Sequence, residues 1–379
     1  MLRKVCMLTS VHQPFDVRIF YKETKTLSSY GYFVVLIAQH EREETVDGVK
    51  IVPLPKPRNR FTRMVKVVAK AFKLALKEKA DVYHFHDPEL IPVGLLLKLF
   101  RKKIIYDVHE HYPNSILGKY WIPRSMRKIV SLLFSLFEQI FVSFFDYIIY
   151  TTRIVGQRYE KKHVPSISIE NYPIIALLDN YSKNPQKYIL YLGGMTKIRG
   201  VLELIHAFGC VVQRHADWKL LFVGKATPES FQHEIDALIL SLHLTKNVEM
   251  VPWVSYDKKE EYSAKASMGV VTYLSYPNNI SCLPNKLFDY MLMSLPVVAS
   301  NFPLYKEVID ESQCGIIVDP SNPDEIAKAI TYLIEHPEEA VHLGNNGRRA
   351  VEERYNWEVE GKKLLEVYRN IFETNEGKG

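Results

Sequence analysis

Residues 188–200 read YILYLGGMTKIRG. An apolar and aromatic run suited to a buried strand ends in two glycines, passes Lys197 and Arg199, and reaches Gly200, where the helical pattern VLELIHAF begins. This is a βα unit, and it repeats. KLLFVG from Lys219, VEMVPWV from Val248, MGVVTYL from Met268, PVVAS from Pro296 and GIIVD from Gly315 follow, with amphipathic stretches between them. The same rhythm precedes it, in KVCMLTS from Lys4, FVVLIA from Phe33, DVYHFH from Asp81, IIYD from Ile104 and YIIYTT from Tyr147. Runs that are apolar on both faces and alternate with helices imply parallel sheets covered on both sides.

The rhythm pauses at NYPIIALLDNYSKNPQK, residues 171–187, where Asn, Pro and Ser accumulate without a period, and the linker is placed there. The expected fold class is α/β: two Rossmann-like doubly wound domains, 1–175 and 186–355, facing across a central cleft. The segment 356–379 is expected to be a C-terminal helix packing back on the first domain.

A chain of 379 residues suits two domains, and 47% hydrophobic with 24% charged residues excludes disordered, collagenous and coiled-coil classes. Four scattered cysteines, without metal-type spacing, point to a reducing compartment. The start MLRKVCMLTS has no long apolar stretch of a secretory signal, so the expected location is cytoplasmic.

Three constellations can carry chemistry. In LGGMTKIRG, Gly193 and Gly194 leave a strand and Lys197 and Arg199 precede a helix, a geometry that favours anions; the plainer reading is a surface turn with solvated cations. In SCLPNKLFDYMLMSLPVVAS, residues 281–300, Pro284 and Asn285 read as a helix start, with Lys286 in the first turn and Asp289 one turn on. Such a helix can hold a diphosphate and a ribose, or its charges simply decorate the helix end. The third pairs HFHDPE, residues 84–89, with YDVHEHYP, residues 106–113. His84, His86 and Asp87 resemble the opening of some metal-hydrolase ligand sets, but the other histidines form no second pair at familiar spacing. Groups at strand ends that bind a hydroxylated substrate, or buried structural histidines, fit better, and no metal is expected.

With these motifs in place, the chain resembles the GT-B glycosyltransferases of family 4, retaining enzymes that use a nucleotide-activated sugar. The resemblance runs nearly end to end, through VHQPFDVRIFYKETKTLSSYGYFVVLIAQH (residues 11–40), HFHDPELIPVG, IIYDVHEHYP, LGGMTKIRGVLELIHAF, LPNKLFDYMLMSLPVVASNFPLYKEVI, CGIIVDPSNPDEIAKAI and YNWEVEGKKLLEVY. It implies a donor domain at 186–355, an acceptor domain at 1–175, and transfer to a glycan or lipid-linked glycan in cell-surface polysaccharide or glycoconjugate biosynthesis. The donor implied is UDP- or GDP-linked, with no cofactor and no metal. Arg199 falls where the family has a diphosphate-binding cation, Asp289 matches the last acid of its E-x7-E pattern, implied to hold the ribose, and His109 matches a histidine beside the transferred sugar. The chain departs from the pattern in having Ser281 for the first Glu and Gly194 for a second Arg. Lys286, with Lys197, is expected to replace the missing cation, and backbone N–H groups around Ser281 and Cys282 to bind sugar or phosphate. Asp16, in FDVRIF, is the first-domain acid expected to bind the acceptor or act as base. A non-hydrolysing sugar-nucleotide epimerase and a catalytically inactive GT-B partner protein are the alternatives.

Charge is unevenly placed. Lys56 to Lys79 carries nine basic residues and one acid, so this segment is +8 and leaves the rest of a +6 chain at about −2. At roughly 100° per residue, Arg63, Lys66, Lys70, Lys73 and Lys77 share one helical arc, opposite an apolar face of Phe61, Met64, Val65, Val68, Phe72, Ala75 and Leu76. That stripe suits an anionic membrane surface; with no nucleic-acid motif beside it, nucleic acid is not expected. IVSLLFSLFEQIFVSFF, residues 129–145, is short for a membrane span and carries Glu138, so it is expected to be a largely buried helix, with shallow insertion beside the basic helix as the alternative. The hypothesis is peripheral attachment to the inner face of the cell membrane.

Overall fold

The computed structural model describes residues 3–119, 121–175, 184–254 and 258–376, with the side chains of 374–376 left aside. Of the expected linker 171–187, residues 176–183 lie outside the described residues. Two compact units result: 1–171 with 357–379, and 172–356.

In the first unit, β1 (Lys4–Leu8), β2 (Phe33–Gln39), β3 (Glu44–Val46), β4 (Val49–Leu54), β5 (Val82–Phe85), β6 (Lys103–Val108), β7 (Tyr147–Tyr150) and β8 (Ser166–Ser168) form one sheet in the order β3-β4-β2-β1-β5-β6-β7-β8. All neighbours are parallel except β3 and β4. The central strands are buried on both faces, and Tyr83, Phe85, Tyr106 and Phe145 pack on one side of them. The helix Trp357–Glu376 belongs to this unit; Trp357 Nε1 donates to Thr26 Oγ1 at 2.9 Å, and Arg3 lies 4.7 Å over the Phe372 ring.

The second unit holds β9 (Tyr188–Leu192), β10 (Lys219–Val223), β11 (Val248–Val251), β12 (Met268–Val271), β13 (Val297–Ser300) and β14 (Gly315–Val318), all parallel, in the order β11-β10-β9-β12-β13-β14. Each sheet is doubly wound. The order reverses at β1/β5 in the first and at β9/β12 in the second, which is where such sheets open a crevice beyond their carboxyl ends.

Three expectations are corrected. The β3–β4 hairpin does not appear in the strand reading, although Asp47–Gly48, both at positive φ, is a strong two-residue hairpin turn between alternating residues. The basic helix is unbroken over 60–78 but does not keep one period: a π-type turn, Arg63–Val67, lies between Arg60–Thr62 and the α-helix Val68–Glu78. The wider turn shifts the phase, so Val67, Val68, Ala71 and Ala75 are buried while Phe61, Met64 and Val65 are at least half exposed. Arg63 leaves the solvent stripe to pair with Glu89 at 2.9 Å, whereas Lys66, Lys70, Lys73 and Lys77 stay exposed. Finally, the helix Arg124–Phe141 is not largely buried. Glu138 is its one buried residue, bonded to Tyr106 Oη at 3.1 Å and Arg158 at 2.5 Å, while Ile129, Leu132, Leu133, Leu136 and Ile140 are all more than half exposed. The acid faces in and the leucines face out.

Candidate functional site

In the second unit the glycine turn after β9 is tightly built. Gly193 has φ +95°, and Gly200 has φ +66° where a Cβ would collide with the Thr272 carbonyl oxygen, so these positions admit no ordinary side chain. Gly200 opens the helix Val201–Val212. Arg199 sits on the short 3-10 turn before it and donates from Nη1 to the Gly194 carbonyl at 2.8 Å, with its guanidinium 5.3 Å from the Tyr273 ring centroid. A side chain at Gly194 would crowd that guanidinium, since an added Cβ lies 3.2 Å from Nη1. Where the resemblance implies two cations, this fold has room for Arg199 and a glycine.

Lys286 is the second basic side chain beside this turn. It lies in the first turn of the helix Asn285–Leu292, as its position after Pro284 implies, and its side chain is buried. Nζ has no hydrogen-bond partner; it rests 3.3 Å from the Tyr191 ring centroid and 5.2 Å from that of Tyr273. Burial, and then the charge of Arg199, push its pKa well below the ordinary lysine value. The Lys286 amine and the Arg199 guanidinium thus converge on Tyr273 and the Gly193–Gly194 turn. An unsatisfied buried ammonium is costly unless an anion completes it.

The remaining second-unit residues are placed differently. Lys197 is exposed and ion-paired with Glu234 at 2.7 Å, so it does not join Arg199; the turn that buries Arg199 directs its neighbour outward. Asp289 is held by Lys259 at 2.6 Å, a partner the sequence reading missed. Ser281 turns its hydroxyl back onto its own short helix, donating to the Pro277 carbonyl at 2.7 Å, so its side chain does not stand in for a carboxylate. Cys282 follows that helix with its Sγ 4.0 Å from the Asn279 carbonyl, and Asn285 is exposed.

In the first unit, the loops after β1, β5 and β6 come together. Asp87 Oδ2 accepts from Thr9 Oγ1 at 2.8 Å, the Ser10 amide at 2.6 Å and the Val11 amide at 3.2 Å, and so fastens the β1 loop. Asp16 caps a π-type helix, Val17–Thr24, accepting from the Arg18 and Ile19 amides, and contacts His12 Nδ1 at 3.0 Å. Burial alone would raise the Asp16 pKa, but His12 and the cap amides outweigh it and hold the carboxylate well below its usual range. Asp16 is therefore a weak base. His12, missed in the sequence, is pulled down by burial and raised further by Asp16, Asp87 and Asp107, ending above its ordinary value.

His109 directly follows β6, half-buried beside His12, with ring centroids 5.7 Å apart. Its Nε2 lies 3.3 Å from Asp107 Oδ2 and 3.1 Å from His86 Nδ1. Asp107 is itself gripped by Arg18, with bonds of 2.9 and 3.0 Å. The side chain that resembles a sugar-side histidine is thus anchored by a buried acid, which is anchored by a buried arginine.

Two doubly wound parallel sheets, one carrying an unsatisfied cationic pocket at its switch point, define the architecture of nucleotide-sugar proteins of the GT-B class. Family comparison agrees. Residues 17–170 match the model described as Glycosyltransferase Family 4, and residues 179–350 match glycosyl transferases group 1. The chain thus carries a segment of each of these two glycosyltransferase families, one after the other, in a GT-B fold. It is 26% identical over 223 residues to the capsular polysaccharide biosynthesis glycosyltransferase CapM of Staphylococcus aureus, covering 59% of this chain and 55% of that one. The chain spans about half the length of the curated relatives it matches. In fold it is similar to sucrose-phosphate synthase from Thermosynechococcus elongatus, with a TM-score of 0.81 at 18% identity over 98% of this chain and 100% of that one. Anabaena HepE, in complex with UDP and glucose, gives 0.74 at 14% identity over 97% and 100%.

Proposed function

We propose that this protein is a retaining glycosyltransferase that moves a sugar from a UDP- or GDP-linked donor to a glycan or lipid-linked glycan acceptor in cell-surface polysaccharide or glycoconjugate biosynthesis. The observation that carries the reading is Lys286: a buried amine without a hydrogen-bond partner, beside Arg199 and the Gly193–Gly194 turn. A diphosphate answers that geometry. In the reaction the acceptor oxygen bonds to the anomeric carbon as the bond from that carbon to the donor phosphate breaks on the same face. The acceptor proton passes to the departing phosphate oxygen, and a glycoside and a nucleoside diphosphate leave. Lys286 and Arg199 stabilise the charge that grows on the leaving group, so no metal ion is needed at the phosphates. The family resemblance assigns Asp289, held by Lys259, to the ribose and His109 to the transferred sugar. Asp16 acts by fixing His12 on the acceptor side, because its carboxylate is too weak a base to take the proton itself.

The same reading places the first unit on an anionic membrane surface of the cytoplasmic face. No helix of the described residues is long and apolar enough to cross a membrane. The outward leucines of Arg124–Phe141 and the side chains of Leu99, Phe100 and Phe61 are exposed apolar groups of this unit. The lysines of Val68–Glu78 are exposed on the same unit, and Arg60 lies 3.5 Å over the Trp121 ring. Apolar insertion rimmed by lysine is the chemistry of shallow docking onto anionic lipid.

A thermal-shift panel of UDP-, GDP- and ADP-sugars tests the donor assignment. One nucleotide series should raise the melting temperature of the wild type. No response to any of them, with no nucleoside diphosphate released in the presence of membrane extract, contradicts the reading.

A further inference from the structure

A second polar cluster lies inside the first unit, separate from the phosphate-binding residues. Glu23, His84, His86 and Asp107 are each completely buried, and one ligand-type atom from each lies within 4.8 Å of all the others. The fold assembles them with some care. His84 and His86 stand two apart along β5 and its exit, so they share a face, with rings stacked 4.7 Å apart. Asp107 comes from β6 next to them. Glu23 arrives through the π-type helix Val17–Thr24, whose i→i+5 period puts Glu23 on the face of Arg18; an α-helix would turn them well apart.

What distinguishes this cluster from an ordinary buried network is its unmet valence. Glu23 Oε2, His84 Nε2 and His86 Nε2 have no hydrogen-bond partner, while Glu23 Oε1 is paired with Arg18 Nε. The other nitrogen of each ring is engaged: His84 Nδ1 is 3.0 Å from Tyr368 Oη and His86 Nδ1 is 3.1 Å from His109 Nε2. With Nδ1 carrying the proton, each ring turns an Nε2 lone pair inward, which is how metal-binding imidazoles are held. Glu23 Oε2 faces His86 Nε2 at 3.6 Å, and Asp107 Oδ2 lies 3.9 Å from His84 Nε2. These spacings are near the separation of neighbouring ligands around a small cation.

We propose that Glu23, His84, His86 and Asp107 form a closed binding site for one divalent transition-metal ion, zinc by ligand class, beneath His109. Two imidazoles with two carboxylates suit a four-coordinate ion of that class and offer nothing special to magnesium. Arg18 completes the site from outside, its Nε 2.9 Å from Glu23 Oε1 and from Asp107 Oδ2. The competing occupant is a proton: burial and then Asp107 push the Glu23 pKa well up. The pairing of His84, His86 and Asp87 considered from the sequence is replaced here, since Asp87 is committed to the β1 loop. Such an ion would position His86 and, through it, His109, without touching the donor phosphates.

The test is the metal content of the full chain, produced in zinc-supplemented medium, purified without chelator and measured by mass spectrometry of the elements. The wild type should hold about one zinc per chain, and denaturation in chelator followed by refolding without metal should lower its melting temperature. Glu23→Gln should lose at least nine-tenths of the zinc, and His12→Ala should keep it. Tyr368→Phe, which removes only the hydroxyl behind His84, should bind roughly tenfold more weakly, and it stands in if Glu23→Gln does not fold. A wild type without metal, or a full load in both Glu23→Gln and Tyr368→Phe, overturns the proposal and leaves the cluster as a proton-filled network.

Discussion

Lys286 carries a burden in the free protein that only a ligand relieves. Replacing it by methionine keeps the volume and removes a buried amine without a hydrogen-bond partner, so Lys286→Met should stabilise the unliganded chain by about 1–3 kcal/mol while abolishing its thermal response to nucleotide sugar. Calorimetric melting checks both. Stability rising while donor response survives would mean that the ammonium is not a phosphate ligand. His12 and Asp16 give a pH dependence whose sign is fixed. The His12 pKa is raised, so its contribution is fully present below its ordinary 6.5 and is lost as pH rises through the folded value. The Asp16 pKa is depressed, so its contribution is present above its ordinary 3.8 and is lost as pH falls through the folded value. Asp16→Asn should therefore flatten the stability loss on the alkaline side of 6.5 in denaturant titrations across pH. It should also lower turnover while donor binding persists; wild-type turnover would remove Asp16 from the acceptor side.

Among the elements, the helix Arg124–Phe141 makes the sharpest forecast. Its leucines contribute little to the core, so Leu132, Leu133 and Leu136 changed together to Ser should alter stability by less than about 1 kcal/mol while weakening binding to anionic vesicles. Glu138→Ala should do the opposite, costing ~3 kcal/mol by stranding Arg158. Changing Lys66, Lys70 and Lys73 to Glu should abolish vesicle binding at low salt; unchanged binding would remove the membrane assignment. The same helix shows what sequence can and cannot reveal. Buried strands announce themselves through continuous apolar runs, and eleven such runs mark strands here. Lys286 and Arg199 were legible because they follow a helix start and a glycine turn. The orientation of Arg124–Phe141 was not, because an amphipathic pattern does not say which face meets protein. Nor was the phase of the basic helix, since a single wide turn at Arg63–Val67 shifts every residue before it. Glu23 was invisible as a partner of Arg18 because helical wheels assume a period that the π-type helix does not keep.

For the molecule as a whole, each doubly wound unit puts chemistry at the point where its strand order reverses: cations after β9 and histidines after β5 and β6. The second unit's claim is the more exposed to test. Because burial and Arg199 hold Lys286 below the ordinary lysine pKa, an arriving diphosphate raises that pKa and favours the protonated amine. The decisive measurement is calorimetric titration of UDP and GDP into the protein, in alkaline buffers of different ionisation enthalpy, with Lys286→Met alongside. The account predicts net proton uptake on binding by the wild type, affinity that falls as pH rises, and neither in the variant. Binding without proton uptake, or binding by Lys286→Met as tight as by the wild type, contradicts it.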